Sequence, residues 1–240
     1  IPVVIISSLT TAGSDAAIKA LEFGAIEIIT KPRIDTSAYY KESAIRITDV
    51  VKAAAQAKVG KRKPTRSVPG FDVAPKYSAD AVLPLPRRIL TETTGKIIAI
   101  GASTGGTEAL RYLVENLPGN TPGIIVVQHM PELFTRSFAE SLNKISRLEV
   151  SEAKDGDAVI TGSVLIAPGN KHTILKRSGA RYYVQITDGE FVNRHRPSVD
   201  VLFHSVAQVA GKNAVGVLLT GMGKDGALGL LAMKQAGAMT

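Results

Sequence analysis

Apolar positions along this 240-residue chain come in short β-branched runs and in longer stretches with helical spacing, and the two kinds alternate. IPVVIISSLT, AGSDAAIKALEFGA and IEIITKP read as strand, helix and strand, and SAYYKESAIRITDVVKAAAQAKV as a helix with apolar residues on one face. From about Val59 to Gly95 the pattern dissolves into proline, glycine and basic residues without period, the mark of a linker. Order returns at IIAIGA, a strand followed by the helical TEALRYLVENL, then the strand GIIVV and the helix FTRSFAESLNKIS. LEVSEA, SVLIAP, HTILKR and RYYVQIT read as short strands, the last three as an antiparallel meander broken by PGN, RSGA and DGE turns. PSVDVLFHSVAQVAG is a helix opened by Pro197 and Ser198, NAVGVLLT a buried strand, and DGALGLLAMKQAGA a final helix. The expected fold is α/β, with a Rossmann-like parallel sheet carrying an antiparallel insert. Residues 1–58, 59–95 and 96–240 are expected to be a first unit, a linker and a second unit.

The chemistry gathers at strand ends. In GASTGG the chain leaves a strand through a glycine turn and enters a helix, so Ser103 projects from a sheet edge beside free helix-start N–H groups. By itself that makes Ser103 a nucleophile, one lip of an anion pocket, or part of a plain turn. Two further strands end in VVQHMP and LLTGMGKDGA, which place His129 and Asp225 at the same kind of position. In a parallel sheet all such ends lie on one edge. A hydroxyl needs a base to attack, and an imidazole base needs a carboxylate to hold its tautomer, so the three residue types required are present. Taken singly, His129 also reads as a polar cap and Asp225 as a helix N-cap.

GASTGGTEAL, QHMP, FTRSFAESLNK, IAPGNKH, NRHRPSVDVLFHSVA and GVLLTGMGKDGA together resemble the protein-glutamate methylesterases of bacterial chemotaxis, from about Lys96 to the last residue. The resemblance implies a serine hydrolase with Ser103 as nucleophile, His129 as base and Asp225 as the residue that orients it. It also implies an oxyanion-hole N–H at Met222, a supporting role for Thr104, and glutamine deamidation by the same acyl-enzyme. The first third is similar to the closing part of a response-regulator receiver domain, a flavodoxin-like α/β fold, with Ser7 and Lys31 at phosphate-sensing positions. No acidic pair or acceptor aspartate precedes them in the sequence given, so this part is expected not to accept a phosphoryl group. The resemblance further implies a strand and a helical region beyond Thr240, and a full receiver that docks over the catalytic edge until a histidine kinase phosphorylates it with Mg²⁺. No cofactor is expected for catalysis and no metal at the site.

Three other histidines, His172, His195 and His204, receive no role, and His204 is expected to be packed or hydrogen-bonded within its helix. Asp155 and Asp157 read as turn residues, and Arg194 and Arg196 as surface charges able to guide an acidic substrate. A nucleotide-binding alternative would use Gly101, Gly105 and Gly106 as a phosphate cradle, but the second strand delivers His129 where a ribose-binding acid is needed.

Composition narrows the classes. There is no cysteine, which excludes disulfides and thiolate chemistry. No apolar run approaches the roughly 20 residues of a spanning helix, so a cytoplasmic location without membrane insertion is expected. Lys and Arg outnumber Asp and Glu 29 to 21, a formal charge of +8. Neither a recognition helix nor aromatic interleaving accompanies that charge, so nucleic acid is not expected as a partner. The acidic methylation helices of chemoreceptors, which the resemblance supplies as substrate, suit it better.

Overall fold

The computed structural model describes residues 1–7, 11–31, 37–57, 95–221 and 223–240. The stretch read as a linker lies outside these residues apart from Gly95, as does Met222. The first unit contains strands β1 (Val4–Ser7) and β2 (Glu27–Thr30) and helices α1 (Thr11–Glu22) and α2 (Ser37–Gln56). Its two strands pair in parallel with Ser7 opposite Thr30, and the Lys31 N–H donates to the Ser7 carbonyl at 2.8 Å.

The second unit is built on five parallel strands in the order β5-β6-β4-β3-β9: β3 (Ile97–Ala102), β4 (Gly123–Gln128), β5 (Glu149–Glu152), β6 (Ser163–Ile166) and β9 (Ala214–Leu218). Side chains alternate across this sheet. Ile100, Ala102, Ile124, Val126, Val164 and Ile166 face α3 (Gly106–Asn116) and α4 (Phe134–Asn143). Ile97, Ala99, Ile125, Val127 and Leu165 face α5 (Val199–Val209) and α6 (Ala227–Gln235). The antiparallel part is smaller than the sequence indicates. Of the strands read as a meander, β7 (His172–Ser178) and β8 (Arg181–Thr187) pair as an antiparallel hairpin, packed with Leu175, Tyr182 and Val184 in the second core. SVLI, read as the first strand of a meander, is instead β6, buried on both faces between β4 and β5, as a continuous apolar run in a parallel sheet should be. β9 lies beside β3 and is only partly buried, with Met239 bridging Val215 in parallel on its other side.

Two consequences position the site. The connection after β3 goes to one face of the sheet and the connection after β9 to the other, so a crevice opens between their carboxyl ends. The first unit rests through α1 on α3 and α4, with Ala17, Ile18 and Leu21 sharing the apolar cluster of Phe138 and Leu142. α1 thus flanks the helices that begin at this edge.

Candidate active site

Glycines bring the backbone close enough for the site to assemble. A Cβ on Gly101 would collide with the Val199 side chain, and one on Gly106 with Gln128. Gly226, with φ 96°, would meet Val199 as well. Gly101 and Gly106 are therefore fixed by close packing within the protein. Because Val199 nests between Gly101 and Gly226, the first turn of α5 reaches the loop that follows β9.

Ser103 follows β3 and precedes α3, whose N-cap Gly105 is left-handed at φ 78°. Its backbone is gripped from two sides. The Ser103 N–H donates to the Thr220 carbonyl at 3.0 Å, and the Gln128 side-chain amide donates to the Ser103 carbonyl at 3.0 Å. The hydroxyl lies 3.0 Å from His129 Nδ1, and His129 Nε2 lies 2.8 Å from Asp225 Oδ2. Donation of Nε2–H to the carboxylate leaves the Nδ1 lone pair facing the hydroxyl, the tautomer a general base requires. Base and carboxylate are sheltered, at 9% and 3% side-chain exposure.

Asp225 does not cap the helix it precedes. Its carboxylate sits at the start of α5, where Oδ2 accepts the Val199 N–H at 2.7 Å and Oδ1 accepts the Asp200 N–H at 3.2 Å. Ser198 Oγ and Asn193 Nδ2 also donate to Oδ1, at 2.7 and 2.9 Å. Burial alone would push this carboxyl up. Donors from His129, Asn193, Ser198 and the Val199 N–H outweigh burial and hold it well below the ordinary carboxylate range. The positive end of the α5 dipole acts in the same direction. Asp225 thus stays anionic and rigid, as the partner of a developing imidazolium should.

Of the candidates read from sequence, Ser103, His129 and Asp225 converge on a cleft of about 220 Å³ lined also by Val199, Leu218, Leu219 and Thr220. No described residue of the first unit lines it. The Thr104 N–H makes no hydrogen bond among the described residues, nor does that of Gly221, while the Ser103 N–H is already engaged by Thr220. Gly221 stands close to Ser103, since a Cβ built on it would lie 3.7 Å from Ser103 Cβ. The role assigned to Met222 falls on a residue outside those described.

Other expectations are revised. His204 is exposed on α5 rather than packed. Arg196 is not a free surface charge: its guanidinium donates to Asn170 Oδ1 at 2.7 Å and lies over the Phe191 ring, which ties down the loop before α5. Asp155 and Asp157 accept from the N–H groups of Ile186 and Lys154, as turn residues do. His172 is buried and holds the Ser198 N–H on Nδ1 at 3.3 Å, a structural role. Ser7 and Lys31 share the carboxyl edge of β1 and β2. Mg²⁺ takes a set of oxygen ligands, and among the described residues no group of three His, Cys, Asp or Glu could hold a metal ion, so these residues do not fit one.

Gln128, Asn193, Ser198, Asp200 and Thr220 are the supporting residues that sequence reasoning passed over. QHMP and NRHRPSVD contain four of them, but a sequence signal points only to Gln128, just before a strand-end histidine, and to Ser198, just before a helix start.

A family model described as CheB methylesterase matches residues 98–240. The chain is 58% identical over 241 residues to protein-glutamate methylesterase/protein-glutamine glutaminase 3 of Geobacter metallireducens, covering 100% of this chain and 67% of that protein. It is 56% identical over 241 residues to protein-glutamate methylesterase/protein-glutamine glutaminase 5 of Anaeromyxobacter dehalogenans, with coverages of 100% and 66%. The chain therefore spans about two thirds of the length of these curated relatives. The crystal structure of the Thermotoga maritima CheB methylesterase catalytic domain superposes with a TM-score of 0.59 at 42% identity, covering 61% of this chain and 78% of that one. With a family model matching more than half of its length and relatives this similar along all of it, the chain belongs to the CheB methylesterase family of carboxylic ester hydrolases.

Proposed function

We propose that Ser103, His129 and Asp225 are the catalytic residues of this methylesterase, and that they hydrolyse glutamate γ-methyl esters on the cytoplasmic helices of methyl-accepting chemotaxis receptors. The observation that carries the assignment is the continuous relay from Ser103 Oγ through both ring nitrogens of His129 to a carboxylate held ionised at a helix start. His129 Nδ1 takes the hydroxyl proton as Oγ attacks the ester carbonyl. The oxyanion is assigned to N–H groups of the Ser103 turn and of the Gly221–Met222 segment. Collapse of the tetrahedral intermediate breaks the bond to methoxide, which leaves as methanol with the proton from His129. Water, deprotonated by the same nitrogen, then attacks the acyl-enzyme, and the free glutamate leaves as Ser103 Oγ recovers its proton. A glutamine amide follows the same route with ammonia as the leaving group.

The charge of +8 supports an acidic receptor helix as substrate. No helix among the described residues is long and apolar enough to cross a membrane, which agrees with a cytoplasmic site of action. Residues 1–58, 59–95 and 96–240 are taken as partial receiver, linker and catalytic domain. Regulation is assigned to the complete receiver, phosphorylated by a chemotaxis histidine kinase. The seat of α1 on α3 and α4 supports control by docking beside the catalytic edge.

The test is methanol release from receptors carrying methyl esters. Wild-type protein should release it, and Ser103→Ala should lower the rate by about 10³-fold or more with an unchanged fold. Turnover of the alanine variant within about tenfold of wild type would remove Ser103 from the mechanism.

A further inference from the structure

We infer that His195 is a positioning residue of this site, whose imidazole lies flat on that of His129 and holds the base in the orientation that serves both Ser103 and Asp225. The two rings stack with centroids 3.6 Å apart and planes 6° from parallel. Each edge of the His129 ring is committed, Nδ1 to Ser103 and Nε2 to Asp225. A half-turn of the ring about its bond to Cβ would present carbon where nitrogen is needed at both contacts. A second ring against its face blocks that rotation and shields the base from water.

The backbone that delivers His195 is shaped for the task. Val192 and His195 exchange backbone hydrogen bonds at 2.9 and 3.2 Å around a two-residue turn. Its central residues, Asn193 and Arg194, have φ of 52° and 68°. Left-handed conformation at two successive non-glycine residues is costly, and its persistence indicates that surrounding contacts fix it. The contacts are those of the site. Asn193 Nδ2 reaches Asp225 Oδ1 at 2.9 Å and Asp200 Oδ2 at 2.7 Å, while His195 lands on His129. One turn thus grips the base and its carboxylate together.

The contact acts on the chemical step and not on substrate binding. The stacked ring keeps both nitrogens of His129 on their partners while the Ser103 proton moves, and a base held in its working orientation raises kcat with little effect on KM. This inference rests on the functional reading above for its kinetic arm, whereas its structural arm does not.

The experiment compares His195→Ala and His195→Phe with wild type in the full chain, by methanol release and by ¹⁵N NMR of the imidazoles. The alanine variant should lose about tenfold in kcat with KM within about twofold, and the phenylalanine variant, which restores a flat ring, should stay within about threefold of wild type. In the spectra, His129 should hold one Nε2–H tautomer in wild type and His195→Phe, and average between tautomers in His195→Ala. Wild-type kcat in His195→Ala, equal losses in both variants, or a change confined to KM would overturn the inference. Should wild type release no methanol, the functional reading fails and the spectra still decide: one tautomer retained in His195→Ala refutes the positioning role. His195→Phe keeps the test open should the alanine variant unfold.

Discussion

Each unit of the chain carries a hydroxyl residue and a basic residue at the ends of two paired parallel strands, yet only one pair becomes a catalytic candidate. At the ends of β1 and β2 stand Ser7 and Lys31, and at the ends of β3 and β4 stand Ser103 and His129. The register already separates them: Ser7 stands opposite Thr30, one position before Lys31, whereas Ala102 stands opposite Gln128, so Ser103 and His129 follow level with each other and meet at 3.0 Å. The larger difference is the third strand. β9 delivers Asp225 to the second edge, and α5 meets that carboxylate with two backbone N–H groups, Ser198 and a loop carrying Asn193. Lys31 is exposed, and no metal-ligating cluster of His, Cys, Asp or Glu is found beside it among the described residues. A hydroxyl residue and a basic residue at neighbouring strand ends are thus what a sheet edge supplies readily. A buried carboxylate kept anionic is what must be built.

Breaking that built part should give the largest effect. Asp225→Asn keeps the shape but removes the charge, and its amide cannot reproduce an acceptor set that takes five donors, so methylesterase kcat should fall by about 10²- to 10⁴-fold. Steady-state methanol release checks this, with KM expected to change little. A loss below about threefold would place the second edge on a par with the first.

The next effect is on stability. Gly101→Ala forces a methyl group into Val199, whose position brings α5 to Asp225. Overpacking of this kind should destabilise the second unit by about 1–3 kcal/mol. Chemical denaturation should show it. A variant as stable as wild type would mean that α5 can back away from β3 at no cost.

Acid sharpens the comparison further. The Asp225 carboxyl is held below its ordinary value, so the folded state binds its proton less readily than the unfolded state. The resulting stability is complete above the unfolded value and is lost as pH falls through the ordinary carboxylate range toward the folded one. The stability gap between wild type and Asp225→Asn should therefore shrink between about pH 5 and pH 3, measured by denaturation at each pH. A gap independent of pH would show that the network does not favour the charged form.

The smallest effect belongs to the first edge. Ser7→Ala and Lys31→Ala should leave methanol release by this chain within about twofold of wild type, since neither residue lines the Ser103 cleft. A larger loss would tie the first unit to catalysis more closely than the seat of α1 on α3 and α4 implies.

Much of the fold was legible because buried parallel strands leave β-branched runs and amphipathic helices leave a period, so each α-helix and strand described in the second unit has a counterpart in the sequence pattern. Sheet membership was not. SVLI has the same short apolar form whether it lies in a parallel sheet or opens a meander, and only its neighbours β4 and β5 decide. The candidate residues were visible for a similar reason: Ser103, His129 and Asp225 each follow an apolar run. Their support was hidden, because Val192 to His195 turns without a glycine and nothing in NRHR announces a left-handed pair. His195 looked inert in sequence because its partner is a ring 66 positions away.

The central claim is that the third strand end activates Ser103 through His129. It is tested most directly by fluorophosphonate labelling of the full chain, with the modified residue located by peptide mass spectrometry and rates compared between wild type and His129→Gln. The account predicts a single phosphonylated residue, Ser103, and labelling slowed by about 100-fold or more in His129→Gln. Label on any other residue, or equal rates in the two proteins, would contradict it.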